Sequence, residues 1–296
     1  MTPSGAGGPV LITGGAGSVG VRLAERFLGE GRSVRVFDLP AMDFSAVEGR
    51  TGVEVIKGDV TAYDVVAAAA EGASAIVHLA ALLPPNSERD RKRTFDVNVG
   101  GTKTMVKALE RVSSDATLVF PSSVSTYGDT SREDPPIGVD HSQSAIDIYA
   151  ESKIAAERVV LASGLKTVIL RIAGIAVPAF LEPPEVWPFL PDQRVEMVHR
   201  DDVVDALHTS AENPDAAGNV FNIAGGQTWQ RRGRDYVSDF YDFVGAPADE
   251  AAYRDSPGWM DWYDTVESQR VLKFQNRSYD CYAEEMRAIV EAMMAE

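Results

Sequence analysis

The chain has 296 residues and 31.9 kDa, with 45% hydrophobic and 24% charged side chains, the make-up of an ordinary soluble globular protein with room for one domain or two. A formal charge of −16 and a pI near 4.7 argue against nucleic acid or an anionic membrane surface as partner. The single cysteine, Cys281, excludes an intrachain disulfide and any CxxC metal site, which fits a reducing cytoplasm.

Residues 1–9, MTPSGAGGP, carry neither the basic flank nor the apolar core of a signal peptide. The apolar run Val10, Leu11, Ile12 reads as a buried parallel strand. It breaks into Gly14, Gly15, Ala16, Gly17, Ser18, Val19 and Gly20, after which Val21, Leu23, Ala24, Phe27 and Leu28 recur at helical spacing until Gly31. Strand, glycine turn and helix N-terminus together make a diphosphate site. A second strand over 33–37 ends at Asp38, where a carboxylate would accept both ribose hydroxyls and repel a 2′-phosphate, so NAD is expected over NADP. Arg35, two residues from Phe37, could weaken that preference.

Further strands are expected over 53–56, 75–78, 116–120, 167–170 and 220–223, alternating with helices. Thr61 is placed to cap the helix running to Glu71. The most apolar window, 65–83, is interrupted by Glu71, Gly72 and His78 and reads as a helix end plus a buried strand, not a membrane span. Residues 82–93 form a loop with a mixed charge run, where Glu88 and Arg89 to Arg93 read as solvated or as touching substrate. Long helices follow over 95–112 and 146–162. Pro178, Pro183, Pro184, Pro188 and Pro191 favour extended or turn structure between 172 and 200. A helix spans 201–212, with Asp201 or Asp202 as its cap, and the tail ends in an amphipathic helix. Trp229, Tyr253, Trp259, Trp262 and Tyr263 read either as a stacking surface for substrate or as core filling.

This pattern predicts an α/β fold: a Rossmann-type doubly wound parallel sheet over 8–171, rejoined by 201–224. Residues 172–200 and 225–296 form a smaller, C-terminal substrate-side subdomain.

Tyr149 and Lys153 lie one helical turn apart on a single face. A tyrosine is a poor base at neutral pH, but a neighbouring ammonium stabilises its phenolate. The phenol can then exchange the proton of an alcohol while hydride moves. Serines at 122, 123 and 125 end the preceding strand, where a hydroxyl could hold the substrate oxygen. The four histidines, His78, His141, His199 and His208, make no metal constellation.

With TGGAGSVG, Asp38, Gly58-Asp59-Val60, HLAA, Asn98-Val99-x-Gly101-Thr102, SSVSTYG, YAESK and Asn222-Ile223 in order, the chain resembles the extended short-chain dehydrogenase/reductase family, the NAD-dependent epimerase/dehydratase group. The resemblance implies Ser123 as the catalytic hydroxyl, Tyr149 as acid/base, and Lys153 as the residue that lowers its pKa and binds the nicotinamide ribose. Asp59 and Val60 would lie near the adenine, Leu79, Ala80 and Ala81 beside ribose and diphosphate. Asn98 would support the sheet edge or make only a local helix bond, and His78 would pack beside the cofactor. His199 matches a family motif preceding a helix.

The Asp-Glu pair of the 4,6-dehydratases is replaced here by Val124 and Ser125, and Cys281 lies too far into the tail to serve as the cysteine of the 3,5-epimerases. Nucleotide-sugar members commonly carry an asparagine where this chain has Gly174. The expected reaction is therefore hydride transfer at a carbinol or ketone carbon of a small polyol, sugar acid or related carbonyl compound. Nucleotide-sugar 4-epimerisation and a non-catalytic, NAD-binding redox sensor are the alternatives. The resemblance also implies a homodimer, and the cysteine usage and N-terminus a cytoplasmic one.

Overall fold

The structure, a computed structural model, describes residues 7–180 and 182–294; the first six residues of the N-terminal stretch discussed above lie outside it. Ten strands and nine α-helices are found among the described residues. Strands β1 (Val10–Thr13), β2 (Val34–Asp38), β3 (Val53–Lys57), β4 (Ala75–His78), β5 (Thr117–Ser123), β6 (Lys166–Ile172) and β9 (Val220–Ile223) make one sheet in the order β3-β2-β1-β4-β5-β6-β9. Parallel register runs through β3, β2, β1, β4 and β5. The order reverses between β1 and β4, the switch point at which ligands enter such sheets.

Helices α1 (Ser18–Gly29), α2 (Tyr63–Ala70), α3 (Arg91–Phe95), α4 (Gly101–Val112), α5 (Ile148–Leu161) and α6 (Arg200–Glu212) lie between the strands of this sheet in chain order. Strand residues Leu11, Phe37, Ile76, Leu118 and Phe120 bury one apolar face beneath Val66, Met105, Leu109 and Val160 of the helices. Each such side chain is worth about 1.5–3 kcal/mol when removed from water.

Two helix starts differ from expectation. α2 begins at Tyr63 after Ala62, with no side-chain cap. Thr61 instead turns its hydroxyl and its amide to Asp59 Oδ1, both at 2.8 Å. The long helix expected over 95–112 is α3, a π-helical turn at Asp96–Gly100, and α4. The loop therefore ends at Asp90, which caps α3 by accepting the Arg93 amide, and not at Arg93.

The chain divides into two compact units: residues 1–123, 147–170 and 204–221 in the first, and 124–146, 171–203 and 222–296 in the second. Segment 124–146, expected within the Rossmann part, groups with the second unit, as do Arg171, 201–203 and 222–224. That unit contains a three-stranded sheet in the order β10-β8-β7, from β7 (Gly174–Ala176), β8 (Arg194–His199) and β10 (Gln230–Arg232). It also carries α7 (Gly233–Val244), α8 (Val266–Leu272) and α9 (Tyr279–Met294). The tail aromatics supply its core: Trp229, with Trp187, Phe189, Tyr236, Tyr279 and Tyr282, is buried, and Tyr253 and Trp259 pack against the cluster. Tyr263 is also fully buried, and Trp262 donates its indole N–H to Arg231 O. Trp229 and Tyr263 therefore fill the core, while Trp262 is only half-buried.

Neither expected aspartate caps α6. The Asp201 amide donates to His199 Nδ1 at 3.1 Å, while Asp202 accepts from the Asn276 and Arg277 amides and the Arg277 guanidinium. No helix among the described residues is long and apolar enough to cross a membrane.

Candidate active site

The glycine turn brings three pieces of backbone together. Gly14 adopts φ +67°, and a Cβ there would stand 2.8 Å from Ala80 N, so only glycine lets β1 approach the turn after β4 so closely. A Cβ on Gly20 would lie 2.6 Å from Gly14 O, which explains why α1 can begin directly against the loop. Leu79 N–H donates to Thr13 O at 3.0 Å and Ala80 N–H to Thr13 Oγ1 at 3.2 Å, tying the Leu79-Ala80-Ala81 turn to the loop.

α1 starts at Ser18 after Gly17, with no side-chain cap and no acidic residue in its first turn. The positive end of its dipole and the amides of Ser18, Val19 and Gly20 thus suit an anion. At the end of β2, Asp38 accepts the Ala16 amide at 3.1 Å through Oδ2 and the Leu39 amide at 2.8 Å through Oδ1. Arg35 is committed elsewhere: it pairs with Glu54 at 2.9 Å and donates to Ala69 O and Glu71 O. The carboxylate is left as the charge that a ribose would meet. Asp59 is exposed and Val60 buried at the end of β3.

His78 links the loop to the next helix. Its Nδ1 stands 2.9 Å from Thr13 Oγ1 and its Nε2 3.4 Å from Thr102 Oγ1. Burial, with Lys153 nearby, drives its pKa down to about 3, so the ring is neutral. A neutral, hydrogen-bonded histidine bridges Thr13 and Thr102.

Asn98 lies in the π-helical turn and reaches well beyond its own helix. Its Oδ1 accepts Leu82 N–H at 2.7 Å, and its Nδ2 donates to Leu82 O at 3.1 Å and Ser152 Oγ at 2.9 Å. Asn98 thus joins the loop after β4 to α5 and is not confined to a bond within its own helix.

Tyr149 sits in the first turn of α5 and Lys153 one turn on. Lys153 is buried, donates from Nζ to Pro121 O at 2.8 Å, and lies 5.0 Å from the Phe120 ring centroid and 5.7 Å from that of Tyr149. The lysine thus ties the Tyr149 helix to the strand end that carries Ser122 and Ser123, both buried. Ser122 Oγ has no hydrogen-bond partner among the described residues, a place where a ligand's polar group can be satisfied.

Burial moves the two ionisable groups toward neutrality. Lys153 falls from 10.5 to about 8, a shift that Glu157 one turn further on partly offsets. The Tyr149 phenol is pushed up by burial and by Asp147. Lys153 alone does not bring the phenol down toward neutral pH; a further positive charge is required.

Sequence reasoning missed Glu88. Glu88 is exposed, as a solvated loop residue is expected to be, yet its carboxylate also accepts Ile148 N–H at 2.9 Å and Tyr149 N–H at 3.0 Å, a contact across 60 residues for which no local pattern exists. Arg91 pairs with Glu151 at 2.8 Å. In the second unit Asn222 belongs to a separate network, accepting Tyr127 OH at 2.7 Å and donating to Ile137 O at 3.0 Å, while Arg171 donates to Tyr127 OH at 3.1 Å.

Residues 10–180 match the model of the NAD dependent epimerase/dehydratase family, and the chain, of Rossmann fold, belongs to that family. It is 34% identical over 177 residues, 57% of the chain, to a 3 beta-hydroxysteroid dehydrogenase/Delta 5-->4-isomerase of Mycobacterium tuberculosis, covering 47% of that protein. It is 32% identical over 175 residues to a UDP-glucose 4-epimerase of Lacticaseibacillus casei, covering 56% of this chain and 51% of that protein. The chain therefore aligns with about half the length of the curated relatives it matches. Among solved structures, MoeE5 in complex with UDP-glucuronic acid and NAD superposes with a TM-score of 0.80 at 26% identity, over 97% of this chain and 99% of that one.

Proposed function

We propose that this chain transfers hydride between NAD and a carbinol or ketone carbon of a small polyol, sugar acid or related carbonyl compound. Tyr149 exchanges the proton of the substrate oxygen, Ser123 holds that oxygen, and Lys153 anchors the phenol's helix. The observation that carries the reading is the Lys153 Nζ–Pro121 O bond, which couples the tyrosine–lysine face to the serine-bearing strand end.

The glycine turn, the uncapped start of α1 and Asp38 would hold the dinucleotide, with Val60 and the turn after β4 flanking it. NAD, when bound, supplies the hydride acceptor and, in its oxidised form, a positive charge. The protein's own part is to fix the phenol, keep the lysine dry and present Ser123 at the end of β5.

Against a nucleotide-sugar substrate stands Gly174, where a Cβ would meet Met197 Sδ at 2.5 Å; an asparagine there would have to displace that side chain. The second unit's guanidinium groups of Arg194, Arg231, Arg234, Arg270 and Arg277 are each held by a carboxylate, which leaves them poorly placed to clamp a diphosphate. The named activity of the Lacticaseibacillus casei relative nonetheless keeps 4-epimerisation as the second reading.

NADH formation at 340 nm across polyols, sugar acids and, given the mycobacterial relative, 3β-hydroxysteroids tests the first reading. Interconversion of UDP-hexoses without net NADH would establish the second. NADH binding without either reaction would leave a cofactor-binding sensor.

A further inference from the structure

We propose that Glu88 is a positioning residue for Tyr149, holding the start of the α5 helix from the loop that follows β4. The inference rests on the reading of Tyr149 as acid/base, but its geometry is independent of the substrate. A helix leaves its first amides without internal partners. In α5 the first two, of Ile148 and Tyr149, go to the two oxygens of Glu88 at 2.9 and 3.0 Å, and the third, of Ala150, goes to Asp147 Oδ1 at 2.7 Å.

Asp147 is the helix's own cap; Glu88 comes from a different element and takes hold of the tyrosine itself. On the carbonyl side of the same residue, Ser152 Oγ donates to Tyr149 O at 2.7 Å and accepts from Asn98 Nδ2 at 2.9 Å. Side chains thus hold both polar backbone groups of Tyr149.

Glu88 is itself held. Ser87 is fully buried and donates its hydroxyl to Glu88 Oε1 at 2.8 Å. The Ser87 carbonyl accepts Thr94 Oγ1 at 2.8 Å, fixing the loop to α3. From α3, Arg91 reaches Glu151 in the first turn of α5. Any movement of the loop after β4 is thereby passed to the backbone of the tyrosine. Displacing a reacting group by about 1 Å is enough to cost on the order of 10²-fold in rate.

The experiment compares the full chain with Glu88→Ala and Glu88→Gln at 25 °C. Glu88→Ala is expected to lower kcat about 10- to 100-fold, with NADH affinity and substrate KM within about twofold of the parent. Glu88→Gln keeps one oxygen acceptor and is expected to recover part of the loss. A cap that only stabilised the helix would lower the unfolding temperature and leave kcat unchanged in the folded enzyme; that result overturns the proposal. So does a kcat loss matched by an equal loss of NADH affinity. Amide exchange over 147–152 is followed in the same proteins. If the parent turns over no carbinol substrate, the reading of Tyr149 falls and exchange alone decides Glu88: faster exchange in both variants supports the hold, and unchanged exchange removes it.

Discussion

Replacing Lys153 by methionine separates what the lysine does for the reaction from what it does to the fold. Lys153 is 4% exposed, and burial lowers its pKa from 10.5 to about 8. Each tenfold fall in proton affinity is about 1.4 kcal/mol, so keeping the ammonium in the fold costs roughly 3 kcal/mol. The sign follows from proton counts. Between pH 8 and 10.5 the unfolded chain holds the proton and the folded chain does not, so stability contributed by this group rises with pH. Below pH 8 both states are protonated and the whole penalty is present.

Lys153→Met removes the titration. It also strands Pro121 O, whose lost bond costs about 1–3 kcal/mol, so the variant is expected within roughly 2 kcal/mol of the parent at pH 7. The parent should then gain on the variant by about 3 kcal/mol as pH rises from 7 to 10.5, while hydride transfer is lost at every pH. Urea unfolding followed by tryptophan fluorescence at pH 7, 8, 9 and 10 measures the difference, in which other titrating groups cancel. A parent-minus-variant difference flat across that range would refute the burial of a charged lysine and, with it, the assigned geometry.

Tyr149→Phe is expected to lower kcat by about 10²–10⁴-fold with NADH affinity retained, measured by NADH absorbance and by cofactor fluorescence titration. Asp38→Ala strips acceptors from the Ala16 and Leu39 amides; NAD affinity should fall about tenfold or more and the preference over NADP should narrow, read by titration with both dinucleotides. Gly174→Asn forces Met197 aside and should destabilise by about 1–3 kcal/mol, visible in thermal unfolding, without conferring UDP-hexose binding.

What was legible in the chain is what local chemistry dictates. The glycine turn, Asp38, the strand–helix alternation and the Tyr149–Lys153 spacing are all encoded within about one element, and the family they indicated is the family that matches. The departures come from hydrogen-bond partners that residue type and spacing do not single out, some two residues away and some far along the chain. Thr61 looks like a cap until Asp59 two residues earlier takes its hydroxyl. Asp201 and Asp202 look like caps until His199 takes the Asp201 amide and Arg277 takes Asp202. Glu88 is exposed, and nothing local points to its bonds with amides 60 and 61 positions away. The tail aromatics could not be assigned to core or substrate from spacing alone; the structure buries Trp229 and Tyr263 almost completely.

His78, Tyr149 and Lys153 share one electrostatic feature: burial disfavours the charged form of all three, so that His78 is neutral, the Tyr149 phenol is harder to ionise than a free one, and Lys153 only just keeps its proton at pH 7. A fold selected only for stability would fill these positions with apolar side chains of similar volume. Their retention makes sense if a charged ligand completes the site. An oxidised nicotinamide brings the positive charge that a phenolate needs, and an anionic diphosphate meets its own donors at the start of α1, away from the lysine's Pro121 bond. On that account the first measurable effect of NAD is on Tyr149: its phenol should titrate at lower pH with NAD bound than without, and a Tyr149→Phe difference spectrum near 295 nm isolates it from the other tyrosines. An unchanged titration would mean that the cofactor's charge does not reach the phenol, and the proton-transfer role assigned to Tyr149 would have to be given up.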